Sequence, residues 1–261
     1  MSGWLRRILL LLAVGVLLAL RAWLPSSGNH PSTRHPDPGQ PRPQASQKPA
    51  TGTGEAVRPA SNRSNSEIAS GDGFDFYVLS LSWSPSYCAA EGGKADRQQC
   101  AAARPYAFIV HGLWPQNERS YPRDCPANHQ QVDFKIARGL SDIMPSVGLI
   151  RHEWKTHGAC TGLDQADYFR ILRAARDKVS VPAQYRQTDR YRQVAPGEVE
   201  AAFLRANRRL PANGVSVTCD RRFLREVRIC LTKDLDFRSC PQVDKQSCRR
   251  SKVVMPPVRG G

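Results

Sequence analysis

A chain of 261 residues with 40% hydrophobic composition can bury a substantial core, and its length admits one large domain or two small ones. A formal net charge of +15 attracts polyanionic partners, although charge alone fits a merely soluble basic surface equally well. Residues 1–71 carry eight Lys or Arg against three Asp or Glu, while residues 72–261 carry 30 against 20, so the larger part is basic in its own right.

In chain order, Arg6 and Arg7 precede an apolar run from Ile8 to Leu20, the pattern of an export signal, and residues 1–24 are read as a signal peptide or membrane anchor. No small-x-small cleavage site follows the run, and Trp4 and Trp23 bracket it like interfacial anchors, so membrane attachment through residues 4–23 competes with cleavage. Either reading sends the rest of the chain out of the cytosol, to the periplasm or the medium. Residues 25–71 hold eight prolines among Ser, Gln, Asn, Gly and Thr and cannot bury enough surface to fold, which makes them a disordered linker. His30 and His35 lie in that tract without a partner cluster, and Asn62-Arg63-Ser64 is a sequon of the kind that arises by chance.

Residues 72–261 read as a single domain. Its eight cysteines, at 88, 100, 125, 160, 219, 230, 240 and 248, follow an export signal in even number, which argues for four disulfides. Zinc bound through thiolates usually needs closely spaced pairs such as Cys-x-x-Cys, and none occurs. Spacing alone leaves the connectivity open.

Asp75–Ser82 is aromatic and aliphatic between turn residues and predicts a buried strand; Tyr106–Val110 predicts another, delivering His111 to a strand end where Gly112 and Pro115 force an irregular turn. Helices are expected over Val132–Met144, over Asp164–Val179 behind an Asp164 cap, and over Glu198–Leu210. Val215–Thr218 and Val227–Leu231 read as late strands, and the alternation fits a mixed sheet flanked by helices.

Two segments carry the chemistry: Phe-Ile-Val-His-Gly-Leu-Trp-Pro from Phe108 to Pro115, and His-Glu-Trp-Lys-Thr-His-Gly-Ala-Cys from His152 to Cys160. The second is not the zinc-protease motif, whose histidines stand four apart, because His152 and His157 stand five apart. At about 100° per residue a helix puts Glu153 and His157 about 40° apart, so the carboxylate is expected to orient the imidazole, while Lys155 points to the opposite side. Cleavage of RNA needs a base for the ribose 2′-hydroxyl and an acid for the leaving 5′-oxygen, and histidine titrates where both jobs are done. A further group must offset the charge that builds on phosphoryl oxygen. Trp114 and Trp154 are flat surfaces for bases, although Trp154, Trp83 and Phe108 are equally expected in the core, and His129 is assigned to structure. His111 and His157 each adjoin a glycine that would let a ligand approach the backbone.

These segments, together with Phe74–Cys88, resemble the signatures of the ribonuclease T2 family, from about Gly73 to the carboxyl terminus. The region from Ser216 to Cys248 and the Val-Met-Pro-Pro ending are most similar to bacterial, periplasmic members. The resemblance implies a single disulfide-bonded α+β domain around a central, mainly antiparallel sheet flanked by helices. It implies His111 as general acid, His157 as general base, Glu153 supporting the pentacovalent phosphorane, His152 on phosphate and Trp114 against a base. It further implies disulfides joining Cys88 to Cys100, Cys125 to Cys160, Cys219 to Cys248 and Cys230 to Cys240. Many members carry Lys immediately before the second catalytic histidine, where this chain has Thr156. Many also carry an acidic base reader where it has Gln116, and low base specificity is expected.

The expected activity is cleavage of single-stranded RNA by a monomer, through a 2′,3′-cyclic phosphate, with no metal or other cofactor and no action on DNA. A metal-dependent phosphodiesterase is one rival reading. The other is a basic RNA-binding or inhibitory protein of the same fold that does not cut.

Overall fold

The computed structural model describes residues 71–127 and 131–258. The leader, all of the linker but Gly71, and His129 lie outside the described residues. Among the described residues, no helix is long and apolar enough to cross a membrane.

The main sheet has four strands in the order β2-β1-β5-β4, and every neighbouring pair is antiparallel. The sheet is therefore not mixed. β1 (Phe76–Trp83) is central and nearly all buried, as an apolar run with no solvent face must be. Tyr77, Leu79, Leu81 and Trp83 enter the main core, while Phe76 and Val78 pack on the other face with Cys230, Cys240 and Val243. On that second face β1 otherwise presents only Ser80 and Ser82.

α1 (Ser84–Glu91) starts with Pro85, whose missing N–H costs nothing in a first turn, and a disulfide joins its Cys88 to Cys100 at the end of α2 (Arg97–Cys100). β2 (Phe108–Gln116) pairs with β1, and it runs straight through His111, Gly112 and Pro115 where a turn was expected. β2 is an edge strand, the place in a sheet where a proline such as Pro115 is tolerated. The irregularity is a bulge instead: Ser80 faces Gly112 and Leu81 faces Val110, leaving His111 as the extra residue.

The expected helix over Val132–Met144 shrinks to α3 (Phe134–Gly139), capped by Asp133 through the Lys135 amide at 2.6 Å. α4 (Val147–Thr156) is capped by Ser146 and buries Ile150, Glu153 and Trp154. α5 (Gln165–Lys178) starts at the Asp164 cap and buries Phe169, Leu172 and Ala175. β3 (Arg192–Val194) forms a two-stranded antiparallel sheet with β6 (Val253–Met255), and α6 (Pro196–Ala206) lies between β3 and the main sheet in sequence.

β4 (Val215–Cys219) and β5 (Leu224–Leu231) form a hairpin with a second bulge: Thr218 faces Glu226 and Cys219 faces Leu224, leaving Arg225 as the extra residue. α7 (Pro241–Asp244) closes the second face. Disulfides join Cys125 to Cys160, Cys219 to Cys248 and Cys230 to Cys240.

Candidate active site

At strict strand period, residues 111 and 114 point to opposite faces. The bulge at His111 cancels that difference and turns its imidazole to the face that also carries Trp114, with the ring centroids 5.4 Å apart and nearly perpendicular. Across the small Ser80 and Ser82 of β1, the same face receives Glu226 and Arg228 from β5. His111 Nδ1 donates to Glu226 Oε1 at 2.5 Å. Arg228 Nε and Nη2 both donate to Glu226 Oε2, at 2.9 and 2.8 Å, and its guanidinium lies 5.0 Å from the Trp114 ring.

Glu153 reaches the site from α4, beside β2, and is 1% exposed. Its Oε2 accepts from Trp114 Nε1 at 2.8 Å, and its Oε1 lies 3.5 Å from His111 Nε2. Gly112 makes this approach feasible, since a β-carbon there would collide with the Glu153 carboxylate and the Trp114 indole nitrogen. The glycine after His157 is occupied in the same way: a β-carbon on Gly158 would meet the Trp154 and Tyr168 rings at 2.7 and 2.8 Å. Both glycines thus admit side chains of this chain, where a ligand was expected.

The expected orientation of His157 by Glu153 is not what the fold provides. α4 ends at Thr156, and His157 takes φ −126°, ψ −48°, outside the helical geometry that the angular argument assumed. Its amide still donates to the Glu153 carbonyl at 3.0 Å, but the Glu153 carboxylate is engaged by Trp114 and His111. The His157 ring instead lies 5.5 Å from Trp114, and its Nδ1 is buried without a hydrogen-bond partner among the described residues. The Cys125–Cys160 bridge and the Asp124 amide, which donates to the Thr156 carbonyl at 2.8 Å, hold the 121–125 loop against this helix end.

The two imidazoles are driven in opposite directions. At His111 burial works against the charged form, but the Glu226 hydrogen bond and the Glu153 and Glu226 charges outweigh it and raise the pKa. At His157 burial, reinforced by His152, His111 and Arg123 and only partly opposed by Asp124, lowers the pKa to about 4. The carboxylates split as well. Burial pushes Glu153 up to about 7 against the opposing pull of His111 and Trp114, whereas at Glu226 His111 and Arg228 overcome burial and hold the pKa at about 2.

Two pockets flank this cluster. Trp114, Tyr121, Arg123, His157 and Arg228 line one; Tyr87, His111, Leu149, Arg225 and Glu226 line the other. His152, exposed on α4, lines both. Lys155 is exposed and Trp154 is buried in the core. Thr156 and Gln116 line the Trp114 pocket, and the Gln116 amide donates to its own neighbour's carbonyl, Pro115 O, at 3.0 Å. Among the described residues, no group of three or more His, Cys, Asp or Glu is arranged to hold a metal ion.

Glu226 and Arg228 escape the sequence reading. Arg225-Glu226-Val227-Arg228 resembles the solvated side of an alternating strand, and no short motif links Glu226 to a histidine 115 positions away.

The model of the ribonuclease T2 family matches residues 74–240. A ribonuclease from Aeromonas hydrophila is 38% identical over 176 residues, covering 62% of this chain and 73% of its own. Ribonuclease I from Escherichia coli is 26% identical over 230 residues, covering 69% of this chain and 86% of its own. The solved structure of RNase NT in complex with 5′-AMP shares the fold at a TM-score of 0.54 and 24% identity, covering 71% of this chain and 100% of that one. With its antiparallel sheet, four disulfides and matching length, this chain belongs to the ribonuclease T2 family, a family of RNA endonucleases.

Proposed function

We propose that this chain cuts single-stranded RNA by metal-independent transesterification with low base specificity. His157, neutral above about pH 4, removes the proton of the 2′-hydroxyl. The 2′-oxygen attacks the adjacent phosphorus, the bond from phosphorus to the 5′-oxygen breaks, and protonated His111 delivers its proton to that oxygen. The products are a 2′,3′-cyclic phosphate and a free 5′-hydroxyl. DNA lacks the nucleophile.

The observation that carries this reading is the opposite poise of two imidazoles against one indole, with His111 raised and His157 lowered. Glu226, clamped by Arg228, holds His111 in one tautomer and favours its charged form. Glu153, 3.5 Å from His111 Nε2 and with its carboxyl pushed up to about 7 by burial, supports the pentacovalent phosphorane. His152, shared by both pockets, is the phosphate contact. The Trp114 pocket beside His157 takes the nucleotide that bears the attacking hydroxyl, and the pocket beside His111 takes the leaving nucleoside. The bound 5′-AMP in the RNase NT complex is in keeping with a nucleotide site on this fold.

Four disulfides and the export-signal pattern of residues 1–24 support export of the domain, residues 72–261, to an oxidising compartment, where we read it as acting as a monomer. The test is incubation of the purified protein with RNA and with DNA, with and without EDTA, followed by end-group analysis. Cyclic phosphate ends from RNA alone, unaffected by chelator, are expected. Chelator-sensitive cleavage extending to DNA would establish the metal enzyme, and RNA binding without cleavage would establish the inactive binder.

A further inference from the structure

Beyond the His111 pocket the surface is basic in an ordered way. The bulge in β5 turns Arg225 to the same face as Glu226, where it lines the pocket of His111. From there two segments run side by side, Cys-Asp-Arg-Arg-Phe-Leu-Arg at 219–225 and Cys-Arg-Arg-Ser-Lys-Val-Val at 248–254. The Cys219–Cys248 disulfide joins their beginnings, the Val254 amide donates to the Arg222 carbonyl at 2.8 Å, and Arg250 Nε donates to the Asp220 carbonyl at 3.3 Å. Arg221, Arg222, Arg249, Arg250 and Lys252 are all exposed.

The two segments hold six cations and one carboxylate. Asp220 offsets one of the six charges; its carboxylate accepts from the Arg222 and Phe223 amides at 2.7 and 2.6 Å and, among the described residues, pairs with Arg225 at 3.3 Å. Among the described residues, the five exposed cations have no carboxylate partner. Exposed cations without carboxylate partners, on two cross-linked segments that adjoin a pocket, suit a polyanion strand whose phosphates repeat along its length.

We propose that this disulfide-stapled ridge binds the backbone of the RNA strand on the 3′ side of the scissile phosphate, extending the substrate site away from the His111 pocket. The polarity rests on the proposed function, which places the leaving nucleoside, and so all downstream nucleotides, beside His111. The 5′ portion of the strand leaves by way of the Trp114 pocket and does not meet the ridge.

The test uses the full chain and three substrates, each with one cleavable ribonucleotide: a minimal dinucleotide, the same unit extended by deoxynucleotides on its 3′ side, and the same unit extended on its 5′ side. In the triple variant Arg221→Ser, Arg249→Ser, Lys252→Ser, kcat/KM on the 3′-extended substrate should fall roughly tenfold at low salt, mainly through KM. Its log–log salt dependence should flatten by roughly 0.7 for each phosphate contact removed. The dinucleotide and the 5′-extended substrate should be cut as by the wild type. Equal losses on both extensions, a loss confined to the 5′ extension, or no loss on either would overturn the proposal while leaving the cleavage mechanism standing. A wild-type enzyme that cuts none of the three substrates would overturn the mechanism itself.

Discussion

His111 and His157 are the same side chain shifted in opposite directions by what surrounds them. His111 sits on a sheet face between two carboxylates, Glu226 at 2.5 Å and Glu153 at 3.5 Å, which outweigh its burial and raise its pKa. His157 sits half-buried at a helix end beside the Trp114 ring, and burial, helped by His152, His111 and Arg123, lowers its pKa to about 4. This division suits an enzyme that moves a proton from one side of a phosphate to the other: a pair with equal pKa values holds the acid charged and the base neutral at most about a quarter of the time, whereas separated values favour that state across the interval between them.

Removing either ring should have the largest effect. His111→Ala and His157→Ala are each expected to lower kcat by about 10²–10⁴-fold on RNA, with an unchanged circular dichroism spectrum. Near-normal turnover in either variant would end the assignment of that residue.

The pH profile sharpens the contrast. The base must be neutral, so kcat/KM should rise as pH increases through about 4; the acid must be charged, so it should fall once pH passes the raised pKa of His111, above 6.5. In Glu226→Gln the amide still accepts a hydrogen bond, but the negative charge is gone. The alkaline limb should then shift to lower pH while the acid limb stays, with an activity loss near pH 7 of roughly tenfold. An unmoved alkaline limb would show that Glu226 does not set the charge of His111. Gly112→Ala is a smaller, structural perturbation. The added methyl group must displace Glu153 or Trp114, and a loss of about 1–3 kcal/mol in chemical denaturation is expected.

The legibility of this molecule follows the range of its interactions. α5 and its Asp164 cap are readable because helical periodicity and capping are local, and β1 is readable because an apolar run bounded by turn residues has few alternatives. The two segments rich in His and Trp stand out from their neighbours for the same reason. What lies inside them is harder to read. The end of α4 at Thr156 lies against the 121–125 loop, tied by the Cys125–Cys160 bridge, and neither of these is local to the helix. Glu226 reaches His111 only because β1 separates their strands and offers Ser80 and Ser82 as low ground between them, a fact about three strands at once.

The bulges at His111 and Arg225 make chain length itself a chemical variable. A strand normally assigns its residues to sides by odd and even count, and one supernumerary residue in each of β2 and β5 resets that parity just where the site begins. Deleting residue 111 would therefore do more than remove an imidazole. Deleting residue 225 would leave His111, Glu153 and His157 in the chain yet restore the ordinary count, with Leu224 on the opposite face and no arginine immediately before Glu226 on its own.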